Sequence, residues 1–147
     1  GQEGRYVHER LGINGRMDTL QAAILIEKMP ILDDEIRLRQ EVAARYGKLL
    51  QGVRTPQIEG HNKSAYAQYT IEVPNRADFC KKMQELGVPT AVHYPGTLSS
   101  QPVIRGKYKA ETPHSASAAQ RVVSLPFHPY LDEGTQKKIA EAVKKSL

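Results

Sequence analysis

The sequence predicts an α+β domain in which about three short strands are covered on one face by helices. Apolar residues recur at helical spacing along an extended N-terminal segment and again at the C-terminus. Between these segments, short runs either alternate in polarity or are rich in β-branched residues, as strands are. A chain of 147 residues can bury one good core, so we expect a single domain.

The longest helical pattern lies near the N-terminus and is predicted to be kinked. Asp18 or Thr19 can cap a helix that runs to about Met29. Pro30 removes one intrahelical hydrogen bond, so we expect a kink or a restart there. Apolar positions continue past the proline in steps of three, four and seven, and they are Leu25, Met29, Leu32, Ile36, Ala43, Tyr46 and Leu50. Arg39 is the only interruption, and we expect the stripe to pack on the domain's own sheet or on a further domain.

The middle of the chain is predicted to pass from a strand through a helix to a second strand. Residues 67–73 alternate between apolar and polar side chains, which indicates a half-buried strand. Asn75 can cap the following helix, which Gly87 and Pro89 then terminate. Residues 90–94 form a short β-rich run, so we expect another strand there.

The C-terminal part is predicted to hold a further strand between two helices. Residues 95–112 look irregular, and a short helix is expected over residues 116–121. Residues 122–125 are predicted to form the third strand. Asp132 opens the last helix, in which apolar residues recur every four positions.

The segment from residue 12 to residue 25 carries the clearest functional signal. Gly12 and Gly15 flank Asn14, and we expect them to allow positive φ angles and close approach of a ligand. Asn14 and Arg16 then stand at the start of a helix, where free N–H groups and the helix dipole favour an anion. Such a loop suits phosphate or carboxylate. The alternative is a simple turn in which Asp18 caps the helix and Arg16 is a solvated charge, because short glycine motifs match by chance.

Composition excludes some function classes and leaves others open. The net charge of +5 invites a nucleic-acid hypothesis, but the basic residues are spread along the chain and aromatic residues are few. No apolar run approaches the length of a membrane span. The single cysteine, Cys80, cannot form an internal disulfide and is expected to be a buried, unreactive thiol in a reducing cytoplasm. The five histidines lack metal-ligand spacing, so no metal site is predicted.

Several motifs resemble one known family in the same order along the chain. Residues 12–25 read Gly-Ile-Asn-Gly-Arg-Met-Asp-Thr-Leu-Gln-Ala-Ala-Ile-Leu and are preceded by Tyr6 and His8. The later segments Val92-His93-Tyr94-Pro95 and Ser124-Leu125-Pro126-Phe127-His128-Pro129 continue the match. Together they resemble the DegT/StrS-type sugar aminotransferases, which are pyridoxal-phosphate (PLP) enzymes that act on nucleotide-linked keto sugars. The resemblance covers nearly the whole chain, and only the region around residues 53–63 is uninformative.

The resemblance implies that residues 1–147 form the small C-terminal domain of a fold-type-I PLP aminotransferase. Members of the family carry a large PLP-binding domain ahead of the matching segment. No segment of this chain resembles the loop that holds the family's Schiff-base lysine. We therefore expect no catalytic residue within this chain and no activity from it alone.

The resemblance also implies a reaction, partners and roles for particular residues. The parent enzyme is expected to transfer an amino group, usually from glutamate, to a UDP-linked 3-keto sugar for surface polysaccharide such as lipopolysaccharide. In the family a cytoplasmic homodimer builds each active site from both subunits. The resemblance places Asn14 on the cofactor phosphate, and Arg16, His93 and Tyr94 on the sugar nucleotide. The segment 124–129 is expected to be mainly structural.

Two alternative functions stay open from the sequence. Some relatives are dehydratases in which histidine replaces the Schiff-base lysine, and this chain does not contain that position. A free-standing basic module that binds nucleic acid is the second alternative. The residue at the Schiff-base position upstream decides between an aminotransferase and a dehydratase. Titration with a UDP-sugar and with single-stranded RNA at two salt concentrations tests the nucleic-acid module, because phosphate-backbone binding falls steeply with salt.

Overall fold

The computed structural model describes residues 1–107 and 111–147, and these have an α+β architecture. The part of the predicted irregular region that covers residues 108–110 lies outside the described residues. The strands and helices are β1 (Gln2–Gly4), β2 (Val7–His8), α1 (Thr19–Lys28), α2 (Leu32–Leu49), β3 (Tyr69–Glu72), α3 (Arg76–Glu85), α4 (Pro113–Arg121), β4 (Val122–Leu125) and α5 (Glu133–Ser146). The predicted helices and two of the predicted strands are therefore present.

The central sheet has two strands, so the prediction of about three was wrong. Strands β3 and β4 pair antiparallel, with Thr70 opposite Ser124. The predicted strand over residues 90–94 contributes only one bridge, in which Ala91 and Ser124 exchange hydrogen bonds of 2.7 and 3.1 Å. Pro89 and Pro95 lack backbone N–H groups on either side of this run, and the ladder cannot extend past them. A second ribbon, β1 paired with β2, was not predicted.

The start of α1 and the kink after it follow the predicted signals. The Asp18 carboxylate accepts from the Gln21 backbone N–H at 2.8 Å, and the Gln21 amide oxygen accepts from the Asp18 N–H at 3.1 Å. This reciprocal pair is a capping box and satisfies two backbone donors. Pro30 lies in a single 3₁₀ turn, Met29–Ile31, which separates α1 from α2.

Side-chain caps also set the start of two later helices. Asn75 accepts from the first turn of α3, and Asp132 accepts from the Thr135 backbone N–H at 2.9 Å at the start of α5. Gly87 ends α3 with a φ of +73°, which glycine adopts without the steric cost that other residues meet.

The alternation of β3 and β4 separates a core face from an outer face. On the core face, Tyr69 lies opposite Leu125 and Ile71 lies opposite Val123, and all four side chains are buried. Helices α2, α3 and α5 supply further buried side chains, which include Tyr46, Phe79, Met83 and Val143, and Leu50 packs with them just after α2. Thr70 and Ser124 consequently lie on the outer face, because successive residues of a strand point to opposite sides.

Only the second half of the predicted apolar stripe packs on this core. Ala43, Tyr46 and Leu50 are at most 6% exposed. Leu25 and Met29 are 49% and 61% exposed, and α1 contains no buried residue. Packing on the domain's own sheet therefore begins in α2.

A buried polar contact joins α5 to α2. The Gln136 side chain is fully buried, and its Nε2 donates to the Val42 carbonyl at 2.8 Å. Its Oε1 accepts from Arg45 Nε at 2.7 Å, and the same guanidinium donates to the Leu131 carbonyl at 2.7 Å. Because these groups have partners, hydrogen bonds offset their desolvation and fix how the two helices meet.

Arg39, the polar interruption of the stripe, holds the loop before β3. Its guanidinium donates to the Tyr66 carbonyl at 2.9 Å and lies 5.7 Å from the centre of the Phe127 ring. The Tyr46 hydroxyl donates to the Pro126 carbonyl at 2.9 Å, and burial raises the pKa of this hydroxyl well above its usual range. Tyr46 is therefore a neutral donor that anchors the turn after β4.

We predict that Gln136→Ala lowers the free energy of unfolding by about 1–3 kcal/mol, because the Val42 carbonyl and the Arg45 guanidinium lose their buried partner. Urea denaturation measures the change. Gln51→Ala is the matched control, since Gln51 lies exposed just after α2 and its side-chain amide donates to the Gly47 carbonyl within that helix. We expect its effect to stay within about 0.5 kcal/mol. Equal loss in both variants would contradict a special role for the buried amide.

We also predict that Asp132→Asn weakens the acid sensitivity of the fold. Hydrogen bonds from Thr135, the backbone N–H first, lower the pKa of the Asp132 carboxyl below its ordinary value. Such a group contributes stability above its unfolded pKa, and the contribution is lost as the pH falls through the lower, folded pKa. Melting temperatures between about pH 6 and pH 2 should therefore fall less steeply in the variant.

Glu141→Gln is the control for this experiment. Glu141 is exposed on the same helix and makes no hydrogen bond or ion pair with any residue in the described ranges. The control should keep the wild-type acid dependence. A variant Asp132→Asn with that same dependence would show that the cap carboxylate does not couple folding to pH.

Candidate functional site

Asn14 and Arg16 lie together in the exposed loop that leads into α1. Both line an open groove of about 580 Å³, together with Met17, Gln21, Ile24 and Leu25. Neither side chain has a hydrogen-bond or ion-pair partner within residues 1–107 and 111–147. The amide and the guanidinium are therefore free to bind a ligand that approaches over an apolar surface.

The structure corrects two expectations about how this loop would bind an anion. The carboxylate of Asp18 already occupies the N-terminus of α1, where it accepts from the Gln21 N–H. A second anion at that point would be repelled by this negative charge. Gly12 and Gly15 are also not in the positive-φ region, so their flexibility is not what shapes the loop.

The two polar side chains of this loop suit a phosphate or carboxylate oxygen. The Asn14 amide carries two N–H donors, and the Arg16 guanidinium carries five in a planar fork. Asn14 can therefore donate neutral hydrogen bonds to such an oxygen, and Arg16 can donate charged ones.

His93 and Tyr94 lie where the chain leaves the bridge to β4, and a cis peptide bond joins them. The His93 side chain is half-buried, and its Nδ1 lies 3.1 Å from Ser124 Oγ. His93 also lines a cleft of about 270 Å³ with Gln68, Thr90, Ser124, Pro126 and Phe127. Tyr94 is 61% exposed, so its ring and hydroxyl are available to a ligand.

The N-terminal ribbon packs beside Tyr94 and adds a third aromatic ring to the site. The rings of Tyr6 and Tyr94 meet edge to face, with centroids 5.5 Å apart, and the Arg5 guanidinium lies 5.0 Å from the Tyr6 ring centre. The His8 backbone N–H donates to Gln101 Oε1 at 3.1 Å, which fastens the ribbon to the following loop. Tyr6 entered the sequence argument only as a flanking residue of the family motif.

The four predicted site residues form two separate pairs. Asn14 lies with Arg16 in one groove, and His93 lies next to Tyr94 at another cleft. No hydrogen bond within the described part of the chain joins one pair to the other. The sequence does not predict the link from His93 to Ser124, because residues 124–129 are expected to be mainly structural and the pairing that brings the two residues together is long-range.

Other features of the described residues add no further site. Cys80 packs partly buried against the core cluster, so it is less buried than predicted. In the described ranges, no group of three His, Cys, Asp or Glu side chains is arranged to hold a metal ion. Within the same ranges, every helix is too short or too polar to span a bilayer.

The chain is similar to the proteins of one enzyme family. The model of the DegT/DnrJ/EryC1/StrS aminotransferase family matches residues 1–144. The chain is 50% identical over 145 residues to the UDP-2-acetamido-2-deoxy-3-oxo-D-glucuronate aminotransferase of Pseudomonas aeruginosa, covering 97% of this chain and 40% of that protein. It is 36% identical to the pleiotropic regulatory protein of Geobacillus stearothermophilus, again over 97% of this chain and 40% of the relative.

A solved structure gives the same result in three dimensions. The crystal structure of a DegT DnrJ EryC1 StrS aminotransferase from Brucella abortus superposes with a TM-score of 0.76 at 38% identity, covering 97% of this chain and 39% of that one. The chain thus spans about 40% of the length of the curated relatives it matches. It belongs to the DegT/DnrJ/EryC1/StrS aminotransferase family.

Proposed function

We propose that this chain is the small C-terminal domain of a PLP-dependent enzyme that transfers an amino group, from glutamate, to a UDP-linked 3-keto sugar used in surface polysaccharide. The observation that carries the proposal is the 50% identity to a relative named for a UDP-linked 3-oxo-glucuronate. In this proposal the large domain and the lysine that holds PLP lie in the rest of the parent protein. The chain by itself is then inactive.

The sugar named in that relative suits the free guanidinium of Arg16. A glucuronate carries a carboxylate, and the planar fork of arginine binds a carboxylate through two parallel hydrogen bonds. Arg16 is exposed and has no partner of its own in the described part of the chain. We therefore assign Arg16 to the sugar carboxylate, and with it a uronic acid as the sugar.

Asn14 is assigned to the phosphate of the cofactor. PLP, when bound, supplies the electron sink that delocalises negative charge at the amine carbon. The exposed Asn14 amide would donate one hydrogen bond to the PLP phosphate, and an amide N–H group fits a phosphate oxygen. Because the loop projects away from the domain core, we propose that it enters the active site of the partner subunit in a cytoplasmic homodimer.

His93 and Tyr94 are assigned to the nucleotide part of the substrate. His93 Nε2 and the Tyr94 hydroxyl can both donate to diphosphate oxygens, and the rings of Tyr94 and Tyr6 offer flat apolar faces to a base. These two residues lie in a different cleft from Asn14 and Arg16. This arrangement suits one pair binding the nucleotide and the other pair binding the sugar and the cofactor.

We predict that Asn14→Ala in the parent enzyme weakens PLP binding by about 1.5–3 kcal/mol, the size of one hydrogen bond to a charged group. The thermal stability of the apoenzyme should barely change, because Asn14 makes no hydrogen bond or ion pair in the described part of the chain. Loss of PLP absorbance on dialysis measures retention. Asn62→Ala, which changes another exposed loop asparagine, is the control. Equal PLP affinity in wild type and Asn14→Ala would remove Asn14 from the cofactor site.

Arg16→Lys should separate a uronic acid from a neutral sugar. Lysine keeps the charge but loses the fork, so a uronic-acid substrate should be used clearly less well while the glutamate half-reaction stays nearly intact. Single-turnover measurement of the two half-reactions in the parent enzyme tests this. Arg37→Lys, on the exposed side of α2, is the control. Full tolerance of Arg16→Lys would point to a neutral sugar.

In the same assay, His93→Ala and Tyr94→Phe should raise the apparent KM for any UDP-sugar, whatever the sugar carries. The glutamate half-reaction should again be spared, because neither residue is assigned to it. Equal damage to both half-reactions by all three variants would mean that these residues hold the fold or the dimer. The substrate assignment would then be wrong.

A further inference from the structure

The outer face of the sheet carries a row of hydrogen-bonded side chains, which runs from Thr70 through Ser124 to His93. Thr70 Oγ1 lies 2.9 Å from Ser124 Oγ, and Ser124 Oγ lies 3.1 Å from His93 Nδ1. Ser124 is only 4% exposed, although it sits on the face away from the core. The buried Ser124 hydroxyl, which contacts both Thr70 and His93, is well placed to fix the orientation of the His93 ring.

The position of this row of side chains follows from backbone pairing. Thr70 faces Ser124 across β3 and β4, and Ala91 pairs with Ser124 on the other side. Paired residues project to the same face of a sheet, and so does the residue two positions along the strand. His93 is two residues beyond Ala91, which brings its ring to the Ser124 hydroxyl.

Counting donors gives the direction of the hydrogen bonds in this row. Within the described residues, Ser124 is the one hydrogen-bond partner of the Thr70 hydroxyl and of the His93 ring. When Thr70 donates to Ser124 and Ser124 donates to His93 Nδ1, both hydroxyl protons have acceptors. The opposite direction leaves the Thr70 proton without an acceptor in the described residues. If Thr70 and a protonated Nδ1 both donated to Ser124, the proton of the buried Ser124 hydroxyl would have no acceptor there.

We propose that Ser124 is a positioning residue, which with Thr70 behind it holds neutral His93 in the tautomer that carries its proton on Nε2. The ring then presents an N–H donor, at the nitrogen not bound to Ser124, to an anionic group. That this group is the diphosphate of the sugar nucleotide rests on the proposed function. The tautomer itself does not depend on it.

Nitrogen NMR on the chain labelled with ¹⁵N-histidine tests the tautomer directly, at about pH 8.5, where an ordinary histidine is neutral. His93→Gln assigns the His93 signals among the five histidines. We expect a protonated Nε2 and an Nδ1 shifted as a hydrogen-bond acceptor. Ser124→Ala should move the Nδ1 signal toward that of an unbonded acceptor, and Ser124→Thr should restore it.

Two further variants keep the test decisive. Thr70→Val removes the donor to Ser124 and leaves the contact between Ser124 and His93 in place. It therefore tests the direction of the hydrogen bonds even if Ser124→Ala does not fold. We expect the Nδ1 signal to move part of the way toward that of an unbonded acceptor. Ser100→Ala is the control, because Ser100 donates to the Thr97 carbonyl in the adjacent loop. A wild-type proton on Nδ1, or an Nδ1 signal that both Ser124→Ala and Thr70→Val leave unchanged, would overturn the proposal.

Kinetics of the parent enzyme then separate this inference from the proposed function. If both hold, Ser124→Ala raises the KM for the UDP-sugar about 3- to 10-fold with kcat nearly constant, and Ser124→Thr restores it. If the NMR result holds but His93→Ala leaves KM unchanged, the positioning of His93 stands and its substrate role is wrong. A fall in kcat with no change in KM in Ser124→Ala would contradict positioning toward the nucleotide.

Discussion

The register of β3 against β4 is the constraint on which the rest of this domain depends. With Thr70 opposite Ser124, the large apolar side chains of both strands face the helices. A slip of one residue would send every one of them to the other face. The same register puts the hydroxyls on the outer side, where the run through Ala91 joins the sheet and places His93. Core packing and site geometry are therefore consequences of one pairing.

Contacts from outside the sheet hold this register in place. The Tyr46 hydroxyl binds the Pro126 carbonyl just after β4, and Arg39 binds the Tyr66 carbonyl just before β3. Both side chains come from α2, so this helix fixes the chain at the same end of both strands. The buried Gln136 amide in turn ties α5 to α2. A two-stranded sheet is weak by itself, and it is these helix contacts that make it a stable platform.

The sequence predicts those parts of the fold that depend on local chemistry. The caps at Asp18, Asn75 and Asp132 and the break at Pro30 occur where expected, because each depends on groups within a few residues. The third strand was wrong because a β-rich run does not say how many ladder bonds its surroundings allow. Likewise, the sequence leaves open whether an anion or the Asp18 carboxylate binds at the start of α1, and the structure shows that Asp18 caps it. The contacts of Ser124 and Tyr6 with the site join segments 31 to 88 residues apart, and no local pattern encodes them.

The exposed face of α1 links the loop of Asn14 and Arg16 to assembly of the whole protein. Leu20, Ile24 and Ile26 are 78%, 63% and 66% exposed, which leaves this ten-residue helix with almost no packing of its own. Helices this short are marginal without a partner surface, even when they are well capped. The capping box fixes where α1 begins, but only burial of its apolar face can fix where the loop before it points. In the proposed homodimer, the surface that covers α1 would therefore also orient the Asn14 amide and the Arg16 guanidinium, so that binding geometry and assembly depend on the same helix.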